Sequence, residues 1–104
     1  MAREFQVRNA DEFEQMIQSK DFRISEALVS TILKNLKSKK RHHHALSVIS
    51  VEEDAVYDVT IDKKDFHHTL QESLIIYENE EKYEECIKIK EAMEFLEKKK
   101  LKKK

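Results

Sequence analysis

Three observations predict an α+β fold for this chain of 104 residues. Apolar residues recur at helical spacing in four segments, two on either side of the middle of the chain. Between them the period drops to two, in a stretch rich in β-branched residues. The sequence also holds no glycine and no proline, which leaves a small, charged, mostly helical domain. The expected layout is two N-terminal helices, one antiparallel β-hairpin and a C-terminal antiparallel helical hairpin. Together they make a single domain over 1–97, followed by a lysine-rich tail at 98–104.

The first helix is set by Asn9 with Glu12 three residues on, a capping-box-like start, and by Phe13, Met16 and Ile17 at helical spacing. Ser19-Lys20-Asp21 is the break. Phe22 and Ile24 then lead into a stripe of Leu28, Val29, Ile32, Leu33 and Leu36, capped by Asp21 or Ser25. Lys37, Lys39, Lys40 and Arg41 follow where the helix dipole favours cations. After His44 the pattern changes. Ala45 to Val51 is rich in β-branched residues, and beyond the acidic turn Glu52-Glu53-Asp54 the residues Tyr57, Val59 and Ile61 alternate with Asp58, Thr60 and Asp62. A lone hairpin is marginal in water, so helices must cover its apolar face or a second copy must extend the sheet.

Asp65 is the expected N-cap of a third helix with Phe66, Leu70, Leu74 and Tyr77 on one face. Asn79-Glu80-Glu81 is the next break, and Tyr83, Cys86, Ile87, Met93 and Leu96 stripe a fourth helix. A turn this short packs two helices antiparallel.

Composition narrows the function. A P-loop, a dinucleotide fingerprint and a nucleophile elbow each need glycines at fixed positions, so all three are excluded. The single cysteine, Cys86, rules out an internal disulfide and fits a reducing compartment. No apolar run approaches the roughly 20 residues of a membrane span. The expectation is a cytoplasmic protein without membrane contact, cofactor or small-molecule substrate. The net charge of −1 hides a strong segregation: +3 over 1–41, −4 over 42–66, −6 over 67–97 and +6 over 98–104. Such blocks steer partners even when their total is near zero.

The second helical hairpin resembles the UVR motif, the short helical hairpin of UvrB, UvrC and related proteins. The matching residues are Leu70, then Tyr83-Glu84-Glu85-Cys86, Lys88-Ile89-Lys90 and the closing Phe95-Leu96, within 70–96. Ile87-Lys88-Ile89-Lys90 departs from that family, where an arginine commonly precedes an acid. The resemblance implies a docking or dimerisation device rather than a catalytic site. In composition, the short, Lys/Glu-rich chain also looks like small accessory proteins of large tailed phages.

Several residue groups invite chemistry and argue against it. His42-His43-His44 with His67-His68, helped by Cys86, contain imidazole and thiol ligands, but lack paired ligands at zinc-site spacing. Adjacent strand residues also point to opposite faces, so the first three histidines cannot converge; no metal is expected. Cys86 sits on an apolar stripe beside Glu84 and Glu85, whose charge disfavours a thiolate, so it reads as an inert core residue. Asp58, Asp62 and Asp65 read as solvated acids and a cap.

The function expected from these observations is a non-enzymatic regulatory or adaptor protein that binds another protein, or a second copy of itself, through the acidic hairpin. Tyr77, Tyr83, Ile87 and Met93 would serve packing or docking, and Glu80, Glu81, Glu84 and Glu85 charge steering. The alternative is a small nucleic-acid-binding regulator using Lys34, Lys37, Lys39, Lys40 and Arg41 of the basic segment 34–44, with the lysine tail.

Overall fold

Phe5 and Val7 alternate with Glu4 and Gln6 at the very start of the chain, and the fold uses that alternation. The computed structural model describes residues 3–102, with side chains through position 99. In chain order its elements are β1 (Arg3–Val7), α1 (Ala10–Gln18), α2 (Phe22–Lys34), β2 (His42–Ser50), β3 (Ala55–Asp62), a 3-10 turn (Lys63–Asp65), α3 (Phe66–Asn79) and α4 (Tyr83–Lys102). The α+β class holds. The expected two-stranded hairpin is instead the antiparallel part of a three-stranded mixed sheet of order β1-β2-β3. β1 runs parallel to β2, pairing Arg3 with Leu46 through to Val7 with Ser50, and reaches it by a crossover through α1 and α2. A parallel neighbour needs such a crossover, so five residues at the terminus carry no local sign of their partner. The sheet is thus extended by the chain's own N-terminus.

β2 begins at His42, three residues earlier than the pattern predicts, because His42, His43 and His44 pair with Asp62, Ile61 and Thr60. A bulge between His44 and Leu46 absorbs Ala45 and keeps His43, Leu46 and Val48 on one face. That face, with Phe5 and Val7, is covered by α1 and α2. Val7, Ala27, Leu46 and Val48 are buried there, with Phe13, Met16, Ile24 and Val59 around them. The opposite face presents Glu4, Gln6, His44, Val56, Asp58 and Thr60, all exposed.

A larger cluster lies between α2, α3 and α4, built on Ile32, Phe66, Leu70 and Ile89, with Ala45 and Ile61 joining it from the sheet. α2 serves both clusters, which is why its buried surface includes the small residues Ser25 and Ala27 beside Val29 and Ile32. On α4 the inward stripe is Cys86, Ile89 and Ala92, flanked by Met93 and Leu96. The expected stripe through Tyr83 and Ile87 is corrected: both are exposed. Ile87 and Ile89 sit about 200° apart on a helix, so only one can face the core.

The caps follow the sequence with one change. Asn9 accepts from the Glu12 amide at 3.0 Å and Asp21 from the Arg23 amide at 2.9 Å. Asp65 makes no side-chain cap; Asp62, one turn earlier, accepts from the Lys64 amide at 3.0 Å and starts the 3-10 turn. α1 and α3 end in the same way. Lys20 and Glu81 adopt left-handed φ of 57° and 58°. The amides of Asp21 and Lys82 then donate to the Met16 and Tyr77 carbonyls, a Schellman ending without glycine. Asp54, with φ 49°, turns the β2–β3 loop. α4 passes position 98 without a break, and positions 103 and 104 of the expected tail lie outside the described residues.

Candidate functional site

Antiparallel packing gives the molecule two chemically different ends. At the start of α2 the Phe22 ring lies 4.8 Å from the ring of Tyr77, near the end of α3. At the start of α3, His67 lies 2.7 Å from Glu97, near the end of α4. The turn between α3 and α4 and the first turn of α4 therefore share one end with the start of α2. The described residues extend over 49 × 31 × 21 Å.

The first end is acidic. Glu80, Glu81, Glu84 and Glu85 are all exposed, with Glu84 and Glu85 in the first turn of α4, where the helix dipole favours them. Among these acids Tyr83 is 62% exposed and Ile87 58% exposed. They lie one turn apart, so they share a face of α4. Of the residues expected to pack or dock, Tyr77 and Met93 pack. Tyr77 is 4% exposed, and burial pushes its phenol up to about 12, with the charge of Glu26 adding to the effect. Its side chain borders a shallow groove of about 320 Å³ between α2 and α4, whose rim carries Glu26, Lys34, Glu85 and Lys88. Met93 is half-buried against the helical core. Lys82 lies over the Phe22 ring, 5.8 Å from its centroid, and ties the turn to α2.

The second end is basic. Lys34 closes α2, and the connection to β2 carries Lys37, Lys39 and Lys40, all exposed. Arg41 donates to Asp62 at 3.0 Å. Lys63 ties the connection to the 3-10 turn: its ammonium donates to the Ser38 carbonyl, and its amide to the Arg41 carbonyl at 2.6 Å. Four residues on from Lys63, His67 meets Glu97, so Lys98 and Lys99 arrive at the same end. Two basic segments far apart in the chain thus lie at one end of the molecule, with Lys63 and Lys64 between them in the sequence.

The histidines are dispersed, as strand alternation requires. His43 turns inward, its Nε2 3.1 Å from the Lys40 carbonyl and its ring 5.6 Å from that of Phe66. His42 faces Asp62 at 3.5 Å on the other side, and His68 lies 3.5 Å from Glu72. Among the described residues no three His, Cys, Asp or Glu side chains gather as metal ligands. Cys86 is 4% exposed, and burial pushes its thiol up, reinforced by Glu78.

Asp58 is not merely solvated. Ser47 Oγ donates to its Oδ1 at 2.7 Å, and His44 Nε2 lies 3.1 Å from the same oxygen and 3.0 Å from Ser47 Oγ. The Ser47 hydroxyl holds the carboxyl below its usual range, with His44 assisting. The trio ties β2 to β3 across the register. A second clamp joins Ser50 and Tyr57, which both donate to Glu53, at 2.8 and 2.9 Å. Sequence reasoning missed both serines: only the cross-strand register brings Asp58 to Ser47, while Ser50 meets Glu53 three residues on, across the turn. Among the described residues no helix is long and apolar enough to cross a membrane. No protein-family model matches this chain, and neither a curated protein nor a solved structure matches it significantly.

Proposed function

We propose that this chain is a non-enzymatic regulatory or adaptor protein that docks another protein through the acidic tip of its α3–α4 hairpin. One observation carries the reading: Tyr83 and Ile87 are large apolar side chains left in water on one face of α4, next to the exposed Glu80, Glu81, Glu84 and Glu85. Neither contributes to the core, which α4 supplies through Cys86, Ile89 and Ala92. An apolar centre with a charged rim is the usual anatomy of a docking patch. The resemblance of 70–96 to a UVR hairpin points the same way, and the buried thiol of Cys86 suits a reducing, cytoplasmic setting.

The test places a photo-crosslinking amino acid at position 87, and separately at exposed position 14 on α1, in the cells that naturally make the protein. A discrete adduct from position 87, absent from position 14 and lost when Tyr83→Asp is added, is the expected result. An adduct of twice the chain mass identifies a second copy as the partner. Equal or absent adducts at the two positions overturn the reading. Because Tyr83 is exposed, Tyr83→Asp should change stability by no more than about 0.5 kcal/mol, which separates lost docking from lost folding.

A further inference from the structure

We propose that the basic end is a binding site for the phosphate backbone of a nucleic-acid duplex. Its cations come from three separate places in the chain: Lys37, Lys39 and Lys40 before β2, Lys64 in the 3-10 turn, and Lys98 in the C-terminal part of α4. The fold assembles them through the contacts of Lys63 with Ser38 and Arg41 and of His67 with Glu97.

These lysines are available to a ligand. All five are exposed, and none forms an ion pair with another described residue. Two of the nearby acids are matched, Asp62 to Arg41 at 3.0 Å and Glu97 to His67 at 2.7 Å. Asp65, beside Lys64, is exposed and makes no side-chain cap, but the lysines outnumber it. α2 and α4 both end here, but each helix C-terminus contributes only about half a negative charge, so the lysines outnumber what the dipoles neutralise. The held carboxylates and the distant acidic tip leave the surface positive where an anion would approach.

The chemistry selects a duplex over a single strand. Single-strand sites stack bases on exposed aromatic rings. The exposed tyrosines lie elsewhere: Tyr83 on the acidic tip, and Tyr57 five residues along β3 from Asp62, towards the β2–β3 loop. At the basic end Phe66 is fully buried and Phe95, one turn before Lys98, is half-buried, so neither offers a fully exposed ring. Flexible point charges without a stacking platform recognise phosphates and carry no base readout, so binding should be independent of sequence.

The experiment measures fluorescence anisotropy of a labelled 20-base-pair duplex with the full chain at about 50 and 200 mM salt. With about three phosphates neutralised, affinity should fall about 40-fold between the two salts. The triple variant Lys37→Glu, Lys39→Glu, Lys40→Glu should lose at least about tenfold at the lower salt and flatten the salt dependence. The Gln versions of the same three positions should show a smaller loss in the same direction, and circular dichroism of each variant checks the fold. Glu80→Gln with Glu81→Gln, at the opposite end, should leave the salt dependence unchanged. Absence of duplex binding at the lower salt overturns the proposal, as does binding that the loop variants leave intact or tighter binding to a single strand. Sedimentation showing oligomers that both the loop variants and the Glu80, Glu81 variants dissolve, without duplex binding, would assign the basic end to the acidic tip of a second copy instead.

Discussion

Tyr77 shows how a residue that reads as a docking group becomes a structural one. Its ring packs on Phe22 and the side chain is buried beside the groove between α2 and α4, so burial disfavours the phenolate form and pushes the pKa up to about 12. The folded value lies above the ordinary value near 10. The resulting stability is therefore fully present below about pH 10 and is lost as pH rises through about 12. Tyr77→Phe should remove about 1–2 kcal/mol of the fall in stability between pH 10 and 12; contact with groove water keeps this below the full displacement. Denaturant melts followed by circular dichroism across that range check it; an unchanged pH dependence would mean that the hydroxyl is as wet folded as unfolded. At this scale the sequence was legible where chemistry is local, as with the Asn9 and Asp21 caps. It was opaque where partners are remote: nothing near Ser47 announces Asp58, 11 residues away across the β2–β3 register.

Among the elements, the two turns between consecutive helices are most instructive. Both breaks, at 19–21 and 79–81, were readable from interrupted apolar patterns and clustered polar residues. Their mechanism was not, because a chain without glycine offers no marker for a left-handed residue. Lys20 and Glu81 take that conformation nonetheless, held by the paired Schellman hydrogen bonds. A left-handed backbone costs a residue with a Cβ about 1–2 kcal/mol, and glycine gives back part of the relief as unfolded-state entropy. Lys20→Gly and Glu81→Gly should therefore each stabilise the protein by about 0.5–1 kcal/mol, raising Tm by about 3–5 °C. Asp54→Gly should gain less, since aspartate tolerates this region better. Thermal melts of the three single variants check the order, and a loss of Tm for Lys20→Gly would show that Lys20 is not strained. The phase of α4 is ambiguous in the sequence for a related reason: Ile87-Lys88-Ile89 offers two apolar candidates on opposite faces, and only the packing partner chooses between them.

For the whole molecule, the decisive addition is β1. It covers one edge of β2 from Leu46 to Ser50 and supplies Val7 and Phe5 to the cluster under α1 and α2. Deleting residues 1–8 should bare the hydrogen-bonding groups of that edge and part of an apolar face, making the chain self-associate. Size-exclusion chromatography with light scattering should show aggregates where the full chain gives a defined species; a well-behaved product of the same folded content would show β1 to be dispensable.

The residues alone determined the four helices and the α3–α4 hairpin, the period-two stretch, the inert setting of Cys86 and the separation of charge into blocks, because each depends on neighbours within a few positions. The mixed sheet, the inward phase of α4 and the placing of acidic and basic blocks at opposite ends came from packing. Those features depend on which remote surfaces meet, and α2 lies between two clusters that no local pattern specifies. The same antiparallel packing that buries Ile32, Phe66 and Ile89 also carries the end of α4 to the connection before β2, so the hydrophobic core sets the charge geometry of the surface.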